Sequence, residues 1–152
     1  MLMMDVLSRN SKLVAGSIAV TVPTIIYGGL ALLGLLTGGV AGSPADGLEL
    51  DDRQLALWRA GHAHAGVLVI FSILAQPFLD HVRLTGQLTW FTRIGFPVSA
   101  ICISAGFFGL AFYDTFRFLL YAGALLLAAS VMLFGVGLIR SAFTVAHSHT
   151  NS

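Results

Sequence analysis

Apolar and polar positions along this chain separate into four long apolar runs joined by three polar connections. The runs extend from Leu13 to about Gly39, from near Leu55 to Leu79, from about Trp90 to Tyr113, and from about Phe116 to Phe143. Each approaches or exceeds the ~20 apolar residues a helix needs to cross the hydrocarbon of a bilayer. The longest connection, residues 41–54, carries Asp46, Glu49, Asp51, Asp52 and Arg53, broken by Gly42, Pro44 and Gly47. Asp80 to Gln87 forms the next connection, and Asp114-Thr115 a tight turn. Residues 144–152 read as a polar tail expected to fray. No repeat relates the two helix pairs. The expected fold is all-α: an integral membrane four-helix bundle forming one domain over residues 1–152.

The first run ends near Gly39-Val40-Ala41-Gly42-Ser43, which resembles a small-residue cleavage region. A signal-peptide core is only about 7–15 residues long, so the run is expected to stay as a membrane helix. Pro23 is expected to kink it. Gly34, Gly38 and Gly42 recur every four residues, a spacing that lets a neighbouring helix approach closely, although glycine is frequent in membrane helices anyway.

Composition sharpens the membrane assignment. Of 152 residues, 57% are hydrophobic and only 10% charged, and mean hydropathy is +0.88. A soluble domain is nearer about a quarter charged, so this chain has too few charges to cover a water-facing surface. A formal net charge of +1 gives no basic face for nucleic acid. Cys102 is the single cysteine, inside an apolar run, and reads as a small hydrophobe. Four spans put both termini on one side. Arg9, Lys12, Arg83, Arg93 and Arg140 fall on that side, against Arg53, Arg59 and Arg117 on the other. The excess of positive charge predicts both termini in the cytoplasm, in a multi-pass protein of a bacterial plasma membrane.

Chemistry concentrates where Arg59-Ala60-Gly61-His62-Ala63-His64-Ala65-Gly66 runs into the second span. An ionisable residue within a span is costly and is a functional candidate by default, though near a span end water and headgroups can satisfy it. Residues two apart point to nearly opposite faces of a helix, so His62 and His64 are not expected to chelate one metal. The His62 stripe, with Arg59, Gly66, Val69 and Gln76, is small and polar and is expected to face other helices. The His64 stripe, with Leu57, Gly61, Leu68, Phe71 and Phe78, is bulky and apolar. It is expected to face lipid, a partner or a flat cofactor such as haem.

A family resemblance is carried by the same residues. Ala63-His64-Ala65-Gly66-Val67-Leu68-Val69-Ile70-Phe71 resembles the start of the second helix of haem-copper oxidase subunit I. There an Ala-His-Ala-x-Val stretch followed by an apolar run carries an axial ligand of the low-spin haem. Asp51-Asp52-Arg53-Gln54-Leu55 is similar to the acidic segment before that helix, and Tyr27-Gly28-Gly29 to the family's aromatic and glycine-containing first span. The resemblance covers at most residues 20–75. It implies His64, rather than His62, as a ligand to haem b. The family has many more spans than this chain, and its other ligands lie in later helices. No histidine falls in the third or fourth run, so the oxidase reaction is not expected of this chain alone.

A second axial ligand is hard to find in the sequence. His81 is seventeen residues from His64, roughly 25 Å along a helix at 1.5 Å per residue, and His147 and His149 are expected at that same far end. What remains is His62 or His64 of a second copy, a ligand from another membrane subunit, or a five-coordinate haem with no second ligand. Arg59, one turn before His62, is a candidate partner for a haem propionate or a quinone oxygen, or an interfacial side chain beside Trp58. A transition-metal site is a separate possibility, His62 or His64 joining Asp51, Asp52 or Glu49 from the folded-back loop. No nucleophile–base pair or phosphate-binding loop is present. Three functions follow in order: a small membrane redox protein or accessory subunit of a respiratory complex, a cofactor-free structural or assembly subunit, and an outer-face metal site. In each the partners are membrane lipid and other copies or membrane subunits. Proton or solute conduction ranks last, because the third and fourth runs hold few polar groups.

Overall fold

The computed structural model describes residues 7–38 and 48–149, with side chains through residue 143. It is all-helical over these residues: α1 is Arg9–Leu36, α2 Asp52–Leu79, α3 Gly86–Leu110 and α4 Phe116–His149. All four are long and apolar enough to cross a membrane.

α1, α2 and α3 begin earlier than their apolar runs because caps, not hydropathy, set their starts. Ser8 caps α1 by accepting from Ser11 N–H, and Thr85 caps α3 by accepting from Leu88 N–H. Asp51 and Gln54 form a capping box at α2, each side chain taking the other's backbone N–H. α1 stops at Thr37, and Gly38 follows with φ 74°, a left-handed value glycine adopts without steric cost. The expected glycine stripe is therefore broken. Gly34 is buried in α1, Gly38 serves to end the helix, and Gly42 lies outside the described residues. The expected tail also differs. α4 continues six residues past Phe143, to His149, because residues 144–149 contain no glycine or proline to stop it.

Successive helices run antiparallel. Ser8 and Ser11 at the start of α1 bond to Asp80 at the end of α2. At the opposite end Gln54 Nε2 donates to the Ala111 carbonyl, and Arg53 lies 3.6 Å from Asp114. α3 is the most enclosed helix, packed against both α2 and α4, while α1 lies mainly on α2. Phe96 of α3 is 0% exposed and meets Phe71 and Phe134 edge-to-face. Close approach of α3 and α4 depends on missing side chains. A Cβ on Gly106 would come within 2.9 Å of the Leu120 backbone, and one on Gly95 would strike the Ser130 hydroxyl.

That packing corrects the assignment of faces. Part of the bulky stripe of α2 turns inward, although His64 and Phe78 stay exposed. Gly61 lies under Phe107 and Phe108, Leu68 packs with Ala100 and Ile103, and Phe71 meets Phe96. Both sides of a membrane helix are apolar, so periodicity identifies a stripe without saying which stripe has neighbours.

Candidate functional site

The two histidines go different ways from α2. His62 is half-buried and turns to α1, where its ring lies along Gly28 and Gly29. A Cβ on Gly29 would come within 3.1 Å of both Cε1 and Nε2, so the ring packs closely on the glycine and would have to give by a few tenths of an ångström for an alanine. His64 is exposed and turns to the α3 side. Its ring lies on Phe107 at 4.9 Å between centroids, tilted by 34°. Its Nδ1 is 2.7 Å from the Ala60 carbonyl oxygen. A carbonyl only accepts, so Nδ1 carries a proton, and in the neutral ring the lone pair is on Nε2.

Phe71 is two turns further along the His64 stripe, half-buried against Phe96. Arg59 is exposed, and as it precedes His64 by five residues it sits roughly 140° around the helix from it. Arg59 is thus nearer the His62 side and is not gathered with His64. Asp51 is the α2 cap, and Asp52 and Glu49 are exposed beside it. Eleven residues of helix, roughly 16 Å, separate Asp51 from His62. Among the described residues no group of three or more His, Cys, Asp and Glu side chains is placed to hold a metal ion. The metal set His62, His64, Asp51 and Asp52 is not brought together.

The strongest polar constellation lies at the other end and was not anticipated as one. Arg93, 3% exposed, donates from Nη2 to Asp80 Oδ1 at 2.9 Å and from Nη1 to Gln76 Oε1 at 3.1 Å and Ser11 Oγ at 2.6 Å. Ser8 donates its N–H and hydroxyl to the two Asp80 oxygens at 2.9 and 2.6 Å. Ser11 Oγ lies 2.8 Å from both Asp80 Oδ2 and the Gln76 carbonyl oxygen. Pro97 has no N–H for the Arg93 carbonyl four residues earlier, and Gln76 Nε2 supplies a donor there at 3.4 Å. Burial alone would raise the Asp80 carboxyl. The bonds from Ser8, Ser11 and Arg93 outweigh it and lower its pKa from 3.8 to about 2. The sequence did contain a signal, since Arg93 falls inside an apolar run and has to find a partner there.

Comparison of the chain with protein-family models, with curated proteins and with solved structures finds no match. The oxidase resemblance of α2 rests on its own residues alone.

Proposed function

We propose that this chain is a multi-pass protein of the bacterial plasma membrane in which His64 is an axial ligand to a b-type haem, serving one-electron transfer within a respiratory membrane complex. The observation carrying this reading is the state of the His64 ring. Its Nδ1–H is bonded to the Ala60 carbonyl, leaving Nε2 free. Metal-bound imidazoles are oriented in the same way, by a bond from the other ring nitrogen. Phe107 against the ring and Phe71 two turns away supply the apolar surface a porphyrin needs. These residues fit one side of a haem. His62 turns to α1 and is not available for the other side, so a second copy or another subunit completes the ligation. Bound haem supplies a one-electron couple. The chain's part is to orient the ligand and surround it with apolar side chains.

Both termini are placed in the cytoplasm on the balance of basic residues. Arg93 is spent on Asp80, which leaves Arg9, Lys12, Arg83 and Arg140 against Arg53, Arg59 and Arg117. A cofactor-free structural subunit is the second reading. It is favoured by large exposed apolar side chains on every helix, such as Val20, Val67, Ile101 and Leu125.

Absorption spectra decide between them. The full chain is purified in detergent from haem-supplied cells, air-oxidised, then reduced with dithionite. The expected result is a Soret band that shifts on reduction, is lost in His64→Ala and is kept in His62→Ala. A blank spectrum from the unaltered protein removes the haem reading and leaves the structural one.

A further inference from the structure

Trp58, Gly61 and His64 follow one another at three-residue intervals, so they fall on one side of α2 at successive turns. α3 packs tightly on the middle one. A Cβ on Gly61 would lie 3.2 Å from Phe107 Cβ and from Cε2 and Cζ of the Phe108 ring. The two phenylalanines then part. Phe108 meets Trp58 edge-on at 5.5 Å between centroids, and Phe107 lies against His64 at 4.9 Å. Gly61 is thus a saddle between two aromatic contacts. Its missing side chain sets how near Phe107 comes to the imidazole.

Phe107 has no polar group to offer His64. What it can do is restrict the ring. At a tilt of 34° the two rings are nearer to stacked than to edge-on, so Phe107 covers one face of the imidazole. The other constraint is the 2.7 Å bond from Nδ1 to the Ala60 carbonyl. That carbonyl is also the helical partner of the His64 backbone N–H. The side-chain bond therefore shares its acceptor, and an exposed ring needs a second support to stay on it.

We infer that Phe107 is a positioning residue for His64. Admitted by Gly61, it holds the imidazole on the Ala60 carbonyl, so that in the neutral ring Nδ1 keeps the proton and Nε2 is the nitrogen offered to a metal. This role deepens the proposed function and rests on it for the identity of the metal, the iron of a haem. The state of the ring itself is read without haem.

The test is nitrogen-15 NMR of the full chain in nanodiscs, labelled at histidine and purified without haem. The pH is raised until the signals no longer change, so that neutral rings are read. His64 is assigned by the signal missing from His64→Gln. One Nδ1–H form is expected in the native chain and in Phe107→Tyr, which keeps the ring. Phe107→Leu, apolar but without a flat face, should lose that single form to exchanging Nδ1–H and Nε2–H forms. Gly61→Ala should move the signal in the same direction by less, because its neighbours need give only a few tenths of an ångström. Phe108→Leu alters the ring that lies on Trp58 and should leave the His64 signal in place. An unmoved His64 signal in Phe107→Leu, or an equal shift in Phe108→Leu, overturns the positioning role. Haem titrated into the same protein tests the metal separately: if none binds, the haem reading falls while the NMR result stands.

Discussion

The two ends of this helix assembly treat buried polar groups in opposite ways. At the end holding the start of α1, an aspartate, an arginine, a glutamine and two serines bond to one another until every charge is matched. Toward the histidine end Ser104 Oγ and Trp58 Nε1 are buried without partners among the described residues, and His64 Nε2 makes no hydrogen bond, while near the network the Ser130 hydroxyl beside Gly95 is a single further orphan. Helices there meet through glycines and aromatic rings, Gly61 under Phe107 and Trp58 edge-on to Phe108. A saturated network holds structure and has no valence left for a ligand. Unmatched donors and acceptors in an otherwise well-packed region are where binding has something to gain.

The contrast is broken most severely by Arg93→Ala. Removing the guanidinium leaves Asp80, its side chain 10% exposed, as a charge without its counter-ion. Breaking such a pair costs about 3–5 kcal/mol, to be seen as a fall in the thermal midpoint of the detergent-solubilised protein. Replacing the pair together, Arg93→Met with Asp80→Leu, should recover much of the loss, because an apolar substitute carries no desolvation cost.

Acid tests the same network more gently. The Asp80 pKa is depressed in the folded chain, from 3.8 to about 2. Its contribution is therefore full above pH 3.8 and disappears as pH falls through about 2. The shift corresponds to about 2 kcal/mol. Unfolding midpoints across that range should drop for the native chain and drop less for Asp80→Asn, which has already lost the charge at neutral pH.

Packing at the histidine end is probed by Gly106→Ala. The new Cβ meets the Leu120 backbone at 2.9 Å. Overpacking costs about 1–3 kcal/mol, and the better helix propensity of alanine returns up to about 1. A net loss of about 1 kcal/mol is expected in the same unfolding assay. His64→Ala should change stability least, by under about 0.5 kcal/mol, because the side chain is exposed. A large destabilisation by His64→Ala would make this end structural as well and erase the contrast.

Much of the architecture was legible along the chain. Four helices follow from four apolar runs, since a long segment without charges has to satisfy its backbone internally. Their starts were legible too, in Ser8, Asp51 with Gln54, and Thr85, had capping chemistry been read in place of the onset of hydropathy. His64 was singled out by its neighbours in sequence, and its bond to Ala60 is local, four residues back on the same helix.

What the sequence by itself determined, then, is whatever depends on near neighbours: the helices, their caps, and the opposed directions of His62 and His64. Tertiary structure alone decided the rest. Arg93 was counted only among the basic residues on the side of the termini, yet from α3 it joins Ser11 of α1 with Gln76 and Asp80 at the end of α2. The bulky stripe of α2 was expected to face lipid, a partner or a flat cofactor, and its Leu68 and Phe71 lie against α3 instead, while His64 and Phe78 stay exposed. In a helix apolar all round, no local signal distinguishes the side that meets lipid from the side that meets protein. Only the positions of the other helices do.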